Sequence, residues 1–135
     1  MERIFLDANF LFSADYLENS GLGRLWRLDD IALLSSAYAV EEARRNLILS
    51  RKAALIRFEQ LVSKLMLSDP PGDLKLPASV RLETKDRPNL RSAIHGEAHF
   101  LLTGDARHFG HLYGRRVHGV MVLRPAQYLE RRART

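Results

Sequence analysis

Short apolar runs alternate along the chain with longer stretches of helical periodicity, and each run stops abruptly at polar residues. Ile4 to Leu6 breaks at Asp7-Ala8-Asn9, the pattern of a buried parallel strand whose carboxyl end turns sharply. A helical pattern follows from Phe10 to Leu17, then the Asn19-Ser20-Gly21 break, and Leu22, Leu25, Trp26 and Leu28 predict a further short helix. Ile31 to Leu34 predicts a second buried strand, ended by Ser35-Ser36. From Tyr38 to Leu67 good helix formers run on without Gly or Pro, which predicts two helices meeting near Ser50.

Ser68 to Ser79 holds three of the five prolines and reads as a surface connection. Val80 to Leu82 predicts a brief third strand. Lys85-Asp86-Arg87-Pro88 then opens a helix running to about Glu97, with Pro88 in its first turn. Phe100 to Leu102 is a fourth strand closed by the Thr103-Gly104-Asp105 turn, and Val120 to Leu123 is a fifth, before Pro125 opens a basic C-terminal helix. This alternation calls for right-handed crossovers, hence the α/β class: a three-layer α/β/α sandwich with a central parallel sheet of about five strands. In open sheets of that kind ligands gather beyond the carboxyl ends of the strands, so the polar residues just after each strand are where chemistry is sought.

Those positions are acidic. Asp7 follows the first strand, the pair Glu41-Glu42 opens the helix after the second, Asp86 comes after the third and Asp105 after the fourth. Carboxylates crowded together repel one another and become hard to ionise unless a cation sits among them. The remedy is a hard divalent ion, Mg²⁺ or Mn²⁺, which takes oxygen ligands and can activate water and neutralise phosphoryl charge. The rest of the composition agrees. A total of 135 residues suits one domain spanning 1–135, and 21 Lys+Arg against 16 Asp+Glu leave a net charge of +5, dominated by Arg, which favours polyanionic partners. Zero cysteines exclude disulfides, thiolate metal sites and a Cys nucleophile. The opening MERIFLDANF lacks a secretory h-region, and no run nears the ~18 apolar residues of a membrane span, so a cytoplasmic protein without a membrane partner is expected.

The segments RIFLDANFLFSA, SSAYAVEEARRNL, KDRPNLRSAI and FLLTGDARHF together resemble the PIN-domain ribonucleases, and within them the toxin halves (VapC-like) of prokaryotic toxin–antitoxin pairs. The resemblance runs from the first strand to the closing VLRPAQYL, and KDRP, a helix and LLTGD form its most specific part. It implies a PIN-like fold and a metal-dependent endoribonuclease whose acidic quartet corresponds to Asp7, Glu42, Asp86 and Asp105, with the Thr103 hydroxyl assisting. Glu42 is preferred to Glu41 because the family's acid stands five residues before a Leu, here Leu47. The neighbouring Glu41 would be solvated or paired with Arg45. The resemblance also implies a homodimer and an antitoxin peptide received near the helices.

Each acid has a plainer reading. Asp7 could cap the helix from Phe10, Asp86 could be an N-terminal cap, Asp105 could be a turn residue, and Asn9 could also cap. Four caps landing together at strand ends is the less economical account. Arg44, Arg45, Arg87, Arg91 and Arg107 lie near the acidic edge in sequence, and Arg107 is the chosen phosphate contact, with a solvated positive face as the alternative. His108 and His111 have the wrong spacing for a helical zinc pair and are placed on a surface turn near bound RNA. The apolar positions between Leu47 and Leu67 exceed a single core stripe, which leaves a partner surface or wholly internal packing open. Hydrolysis by metal-activated water would leave 5′-phosphate and 3′-hydroxyl ends. The alternative is a non-catalytic module holding RNA or antitoxin. A phosphoryl-accepting domain would want a close acidic pair after the first strand, where residues 7–9 read Asp-Ala-Asn.

Overall fold

A computed structural model describes residues 1–16, 22–70, 72 and 74–134. Leu17 and the Asn19-Ser20-Gly21 break lie outside the described residues. The strands are β1 (Glu2–Leu6), β2 (Ile31–Ser35), β3 (Met66–Leu67), β4 (Phe100–Leu102), β5 (Arg116–Val117) and β6 (Val120–Leu123), and they form one sheet in the order β3-β2-β1-β4-β6-β5. All neighbours pair in parallel except β5 with β6. The helices are α1 (Ala8–Tyr16), α2 (Ala37–Ser50), α3 (Leu55–Val62), α4 (Arg87–His95), α5 (Ala106–Phe109) and α6 (Pro125–Ala133), with 3-10 turns at Leu22–Arg27, Lys52–Ala54 and Gly110–Leu112.

Side chains alternate across the pleat and so divide the core in two. Ile4 and Leu6 pack with Ile31, Leu33, Leu102 and the apolar sides of α1, α2, α3 and α6, while Phe5 packs with Leu34, Leu101, Val122, Leu90 and Ala93 beneath α4. The result is the expected three layers. β1 lies in the middle, buried on both faces, which is why its apolar run is continuous. α2 buries Ala39, Val40, Ala43 and Leu47 as one stripe, starts at the Ser36 cap, whose side chain accepts from Ala39 N–H at 3.0 Å, and ends at Ser50, where the sequence places the break. The apolar surplus after it splits. Phe58 and Leu61 are buried, whereas Ile48, Leu49, Ile56, Met66 and Leu67 are exposed.

Two expectations need correction, and the expected parallel sheet of about five strands gains one antiparallel strand at its edge. Val80–Leu82 is not a strand: Met66–Leu67, read from sequence as the end of a helix, pairs with β2 and takes the edge where such a strand would add. Val80 and Leu82 instead turn their side chains into the core under α4 while Arg81 N–H donates to His111 Nε2 at 3.1 Å. The sheet has six strands, and its outer strand is antiparallel because Val117 and Val120 flank a two-residue turn, His118-Gly119, with φ of 47° and 86°. Positive φ at both central residues is what a tight hairpin demands. Finally, α4 ends at His95, where Gly96 and the left-handed Glu97 (φ 54°) stop it short of the expected Glu97.

Candidate active site

Register brings the acids together. Leu6 lies opposite Leu102 across the β1–β4 pair, so the residues that follow, Asp7 and Thr103-Gly104-Asp105, leave the sheet side by side. Phe5 lies opposite Leu34, and Ser35 Oγ donates to Leu6 carbonyl at 2.7 Å, which sets the start of α2 beside the same edge. Asp86 has no strand behind it. It reaches the site on the loop into α4, held by the Tyr38 hydroxyl of α2, which donates to Lys85 carbonyl at 3.0 Å.

Asp7, Glu42, Asp86 and Asp105 line one cleft of about 190 Å³, together with Asn9, Asn46, Lys85 and Asn89. Asp7 is 3% exposed, and its Oδ1 accepts from Phe10 N–H at 2.8 Å, so it caps α1 and faces the cleft as well. Thr103 is fully buried, hydrogen-bonds the Asp7 side chain, and accepts from Asp105 N–H at 3.1 Å. Asp105 Oδ1 accepts from His108 N–H at 3.2 Å and so caps α5. Asp86 makes no side-chain capping bond, which removes the plain reading for that residue. Glu42 faces the cleft, whereas Glu41 pairs with Arg44, not Arg45, and Arg44 is also bonded to Glu59 at 2.7 and 2.8 Å. Arg44 is thereby committed to carboxylates. Arg107 is exposed on α5, outside the residues lining the cleft.

Burial first, and crowding after it, show in the acidities. Burial pushes Asp7 up to about 7, against hydrogen bonds from Thr103 and Phe10 that favour the charged form, with Asp105 and Glu42 adding repulsion. Glu42 is raised by burial and by Asp86, and Asp86 is raised by burial first, then by Asp105 and Glu83, against the pull of His108 and Lys85. Each acid is felt by at least one other. The carboxylates and amides that line the cleft offer hard oxygens; Asn89 Oδ1 is buried without a hydrogen-bond partner among the described residues, and Asp86 Oδ2 makes no hydrogen bond although His108 Nδ1 lies 3.1 Å away. Such a set suits Mg²⁺ or Mn²⁺.

His108 does not lie on an open surface turn. Its Nδ1 is 2.9 Å from Asp105 Oδ2 and 3.1 Å from Asp86 Oδ2, and its Nε2 is 3.5 Å from Glu83 Oε1. Glu83, Asp86 and His108 offer ligand atoms all within 4.8 Å of one another, a grouping that sequence pattern alone did not suggest and that shares only Asp86 with the four acids lining the cleft. Nor did it single out Lys85 and Asn89. Helical spacing could have found two of these residues, since His108 stands three residues after Asp105 and Asn89 three after Asp86.

No family model matches the chain, and no curated protein does either. Solved structures match across nearly its whole length. A chain in the crystal structure of VapBC2 from Rickettsia felis bound to a DNA fragment from their promoter superimposes with a TM-score of 0.64 at 12% identity, over 90% of this chain and 98% of the other. A chain of VapBC-1 from nontypeable Haemophilus influenzae gives 0.60 at 12% identity, over 92% and 98%. At that identity the likeness is one of fold, and the fold is the PIN-like α/β architecture expected from the sequence motifs.

Proposed function

We propose that the protein is a divalent-cation-dependent endoribonuclease, the toxin of a toxin–antitoxin pair. The observation that carries this reading is the convergence of four carboxylates, from four separate segments, on one cleft at the carboxyl edge of the sheet. Asp7, Glu42, Asp86 and Asp105 would hold the cation. When bound, Mg²⁺ or Mn²⁺ supplies an acidified water and neutralises charge on the phosphoryl group under attack. Thr103 and the Phe10 N–H fix the Asp7 carboxylate, so that its oxygens need no reorganisation when a cation arrives. Lys85 at the cleft and the exposed Arg107 beyond it would take the phosphates of an RNA strand, and the net charge of +5 favours a polyanionic partner. No histidine acid–base pair and no 2′-hydroxyl nucleophile is required.

Two further supports concern partners. The fold is shared with chains of VapBC assemblies, and Ile48, Leu49, Ile56, Met66 and Leu67 expose large apolar side chains of the kind that a homodimer or an antitoxin helix covers. Incubating an RNA pool with the parent protein in Mn²⁺, in Mg²⁺ and with EDTA is the test, with Asp7→Asn alongside. Cleavage that needs the cation and falls roughly a hundredfold or more in Asp7→Asn is expected; cleavage by Asp7→Asn at the parent's rate contradicts the assignment.

One observation favours a non-catalytic module that holds RNA or antitoxin without cutting. His108 Nδ1 lies within ion-pair distance of both Asp86 and Asp105 and offers them a partner without any metal. Equal RNA affinity with and without chelator, and no product at any cation concentration, would select this second reading.

A further inference from the structure

Asn89 is a carboxamide where an acidic cleft has no evident use for one. It occupies the third position of α4 and is only 3% exposed, and its Oδ1 meets no hydrogen-bond donor among the described residues. Native folds seldom leave a buried carbonyl oxygen without a partner, and the exceptions call for an explanation such as an ion. Its surroundings supply one. Asn89 lines the cleft with the four acids and stands three residues after Asp86, so the two side chains lie on the same face of α4. Asp86 Oδ2 is likewise buried without a hydrogen bond, although His108 Nδ1 lies 3.1 Å from it, so Asn89 Oδ1 carries the argument. Asn9 and Asn46 line the cleft too, but both are exposed, and water can satisfy their amides. Asn89 alone among the three amides is closed off from solvent.

An amide oxygen is a hard donor of the kind Mg²⁺, Mn²⁺ and Ca²⁺ accept, and unlike a fifth acid it adds no negative charge to a site already crowded with it. We propose that Asn89 Oδ1 is a neutral oxygen donor to the divalent cation of the acidic cleft, completing a ligand set that the four carboxylates begin. The inference rests on the cation-binding half of the function proposed above and is independent of whether RNA is cut. It also distinguishes oxygen from nitrogen: turned the other way, the amide would be a hydrogen-bond donor to Asp86, and replacing it by an acid would then be repulsive.

Calorimetric titration of Mn²⁺ into the metal-free full chain, with a thermal melt of the same metal-free samples, tests this. Asn89→Leu removes the oxygen at similar volume, and Asn89→Asp keeps it. Asn89→Leu is expected to bind Mn²⁺ about tenfold or more weakly, while its metal-free melting point stays at or above the parent's because an orphaned polar atom has been removed. Asn89→Asp is expected to bind at least as tightly as the parent. The proposal is overturned by Asn89→Leu binding within twofold of the parent, by Asn89→Asp binding more weakly than the parent, or by a parent that takes up no Mn²⁺. Should Asn89→Leu fail to fold, the Asn89→Asp result alone decides. RNA cleavage is measured separately: a parent that binds Mn²⁺ yet leaves RNA whole defeats the nuclease reading and leaves this one standing.

Discussion

Asp7 shows how one side chain serves both fold and site. It caps α1 through Oδ1 yet is buried among other acids, and burial and repulsion carry its acidity to about 7 from an ordinary 3.8. Between those two values the folded, metal-free chain holds a proton that the unfolded chain has lost. Stability contributed at low pH is therefore lost as pH rises through that window, by ~1.4 kcal/mol for each pH unit crossed, and the full penalty is present above about 7. Denaturant unfolding of the metal-free protein at pH 5.5 and at pH 8 measures it. The parent is expected to lose roughly 2 kcal/mol more stability than Asp7→Asn over that interval; identical pH dependence in the two proteins contradicts the assignment. Glu42 and Asp86 are raised as well and titrate in both proteins, with Lys85 and His108 opposing them at Asp86, so the comparison isolates Asp7. Added Mn²⁺ should reverse the trend, because its binding expels the proton and strengthens as pH approaches 7.

Among the elements, the connection from residue 68 to Asp86 contributes most to the site with least regular structure. Val80 and Leu82 anchor it in the core under α4, and the Tyr38 hydroxyl holds Lys85. Leu82→Ala is expected to cost about 2–3 kcal/mol of stability and also to weaken Mn²⁺ binding, since the loop that aims Asp86 loses its anchor. A melt and a Mn²⁺ titration check both effects, and an unchanged cation affinity would mean that Asp86 is held some other way. Sequence pattern reveals elements to the extent that they repeat. The runs Ile4 to Leu6, Ile31 to Leu34, Phe100 to Leu102 and Val120 to Leu123 are strands, as their patterns predict, and Ser36, Pro88 and Pro125 mark helix starts. β3 and β5 have two residues each, too short to show alternation, and the Val-Arg-Leu of 80–82 alternates like a strand although only its side chains are used. His118-Gly119 was the available sign of the hairpin, a polar residue and a glycine between valines.

Across the whole molecule, the parallel order β2-β1-β4 forces the acids together, because parallel strands deliver all their carboxyl ends to one edge. Asp7 and Asp105 were legible for that reason, as polar residues just past apolar runs, whereas Glu42, inside α2, was chosen over Glu41 on the resemblance. Asp86 was legible by position, although the strand assigned before it is absent. The partners around them were not, since Asn89, Lys85 and His108 acquire meaning only once α4 and α5 are folded onto the edge. Among the described residues no helix is long and apolar enough to cross a membrane. Large apolar side chains of α2, α3 and β3 lie exposed, and these are the ones that the proposed protein partners would cover. The central claim is that one divalent cation is shared by carboxylates from four segments. Anomalous diffraction from crystals grown with Mn²⁺ tests it most directly. The account predicts a manganese peak in the cleft within bonding distance of carboxylate oxygens from Asp7, Asp86 and Asp105, with Glu42 directly or through water; a peak held elsewhere, or none with the cleft open to solvent, would contradict it.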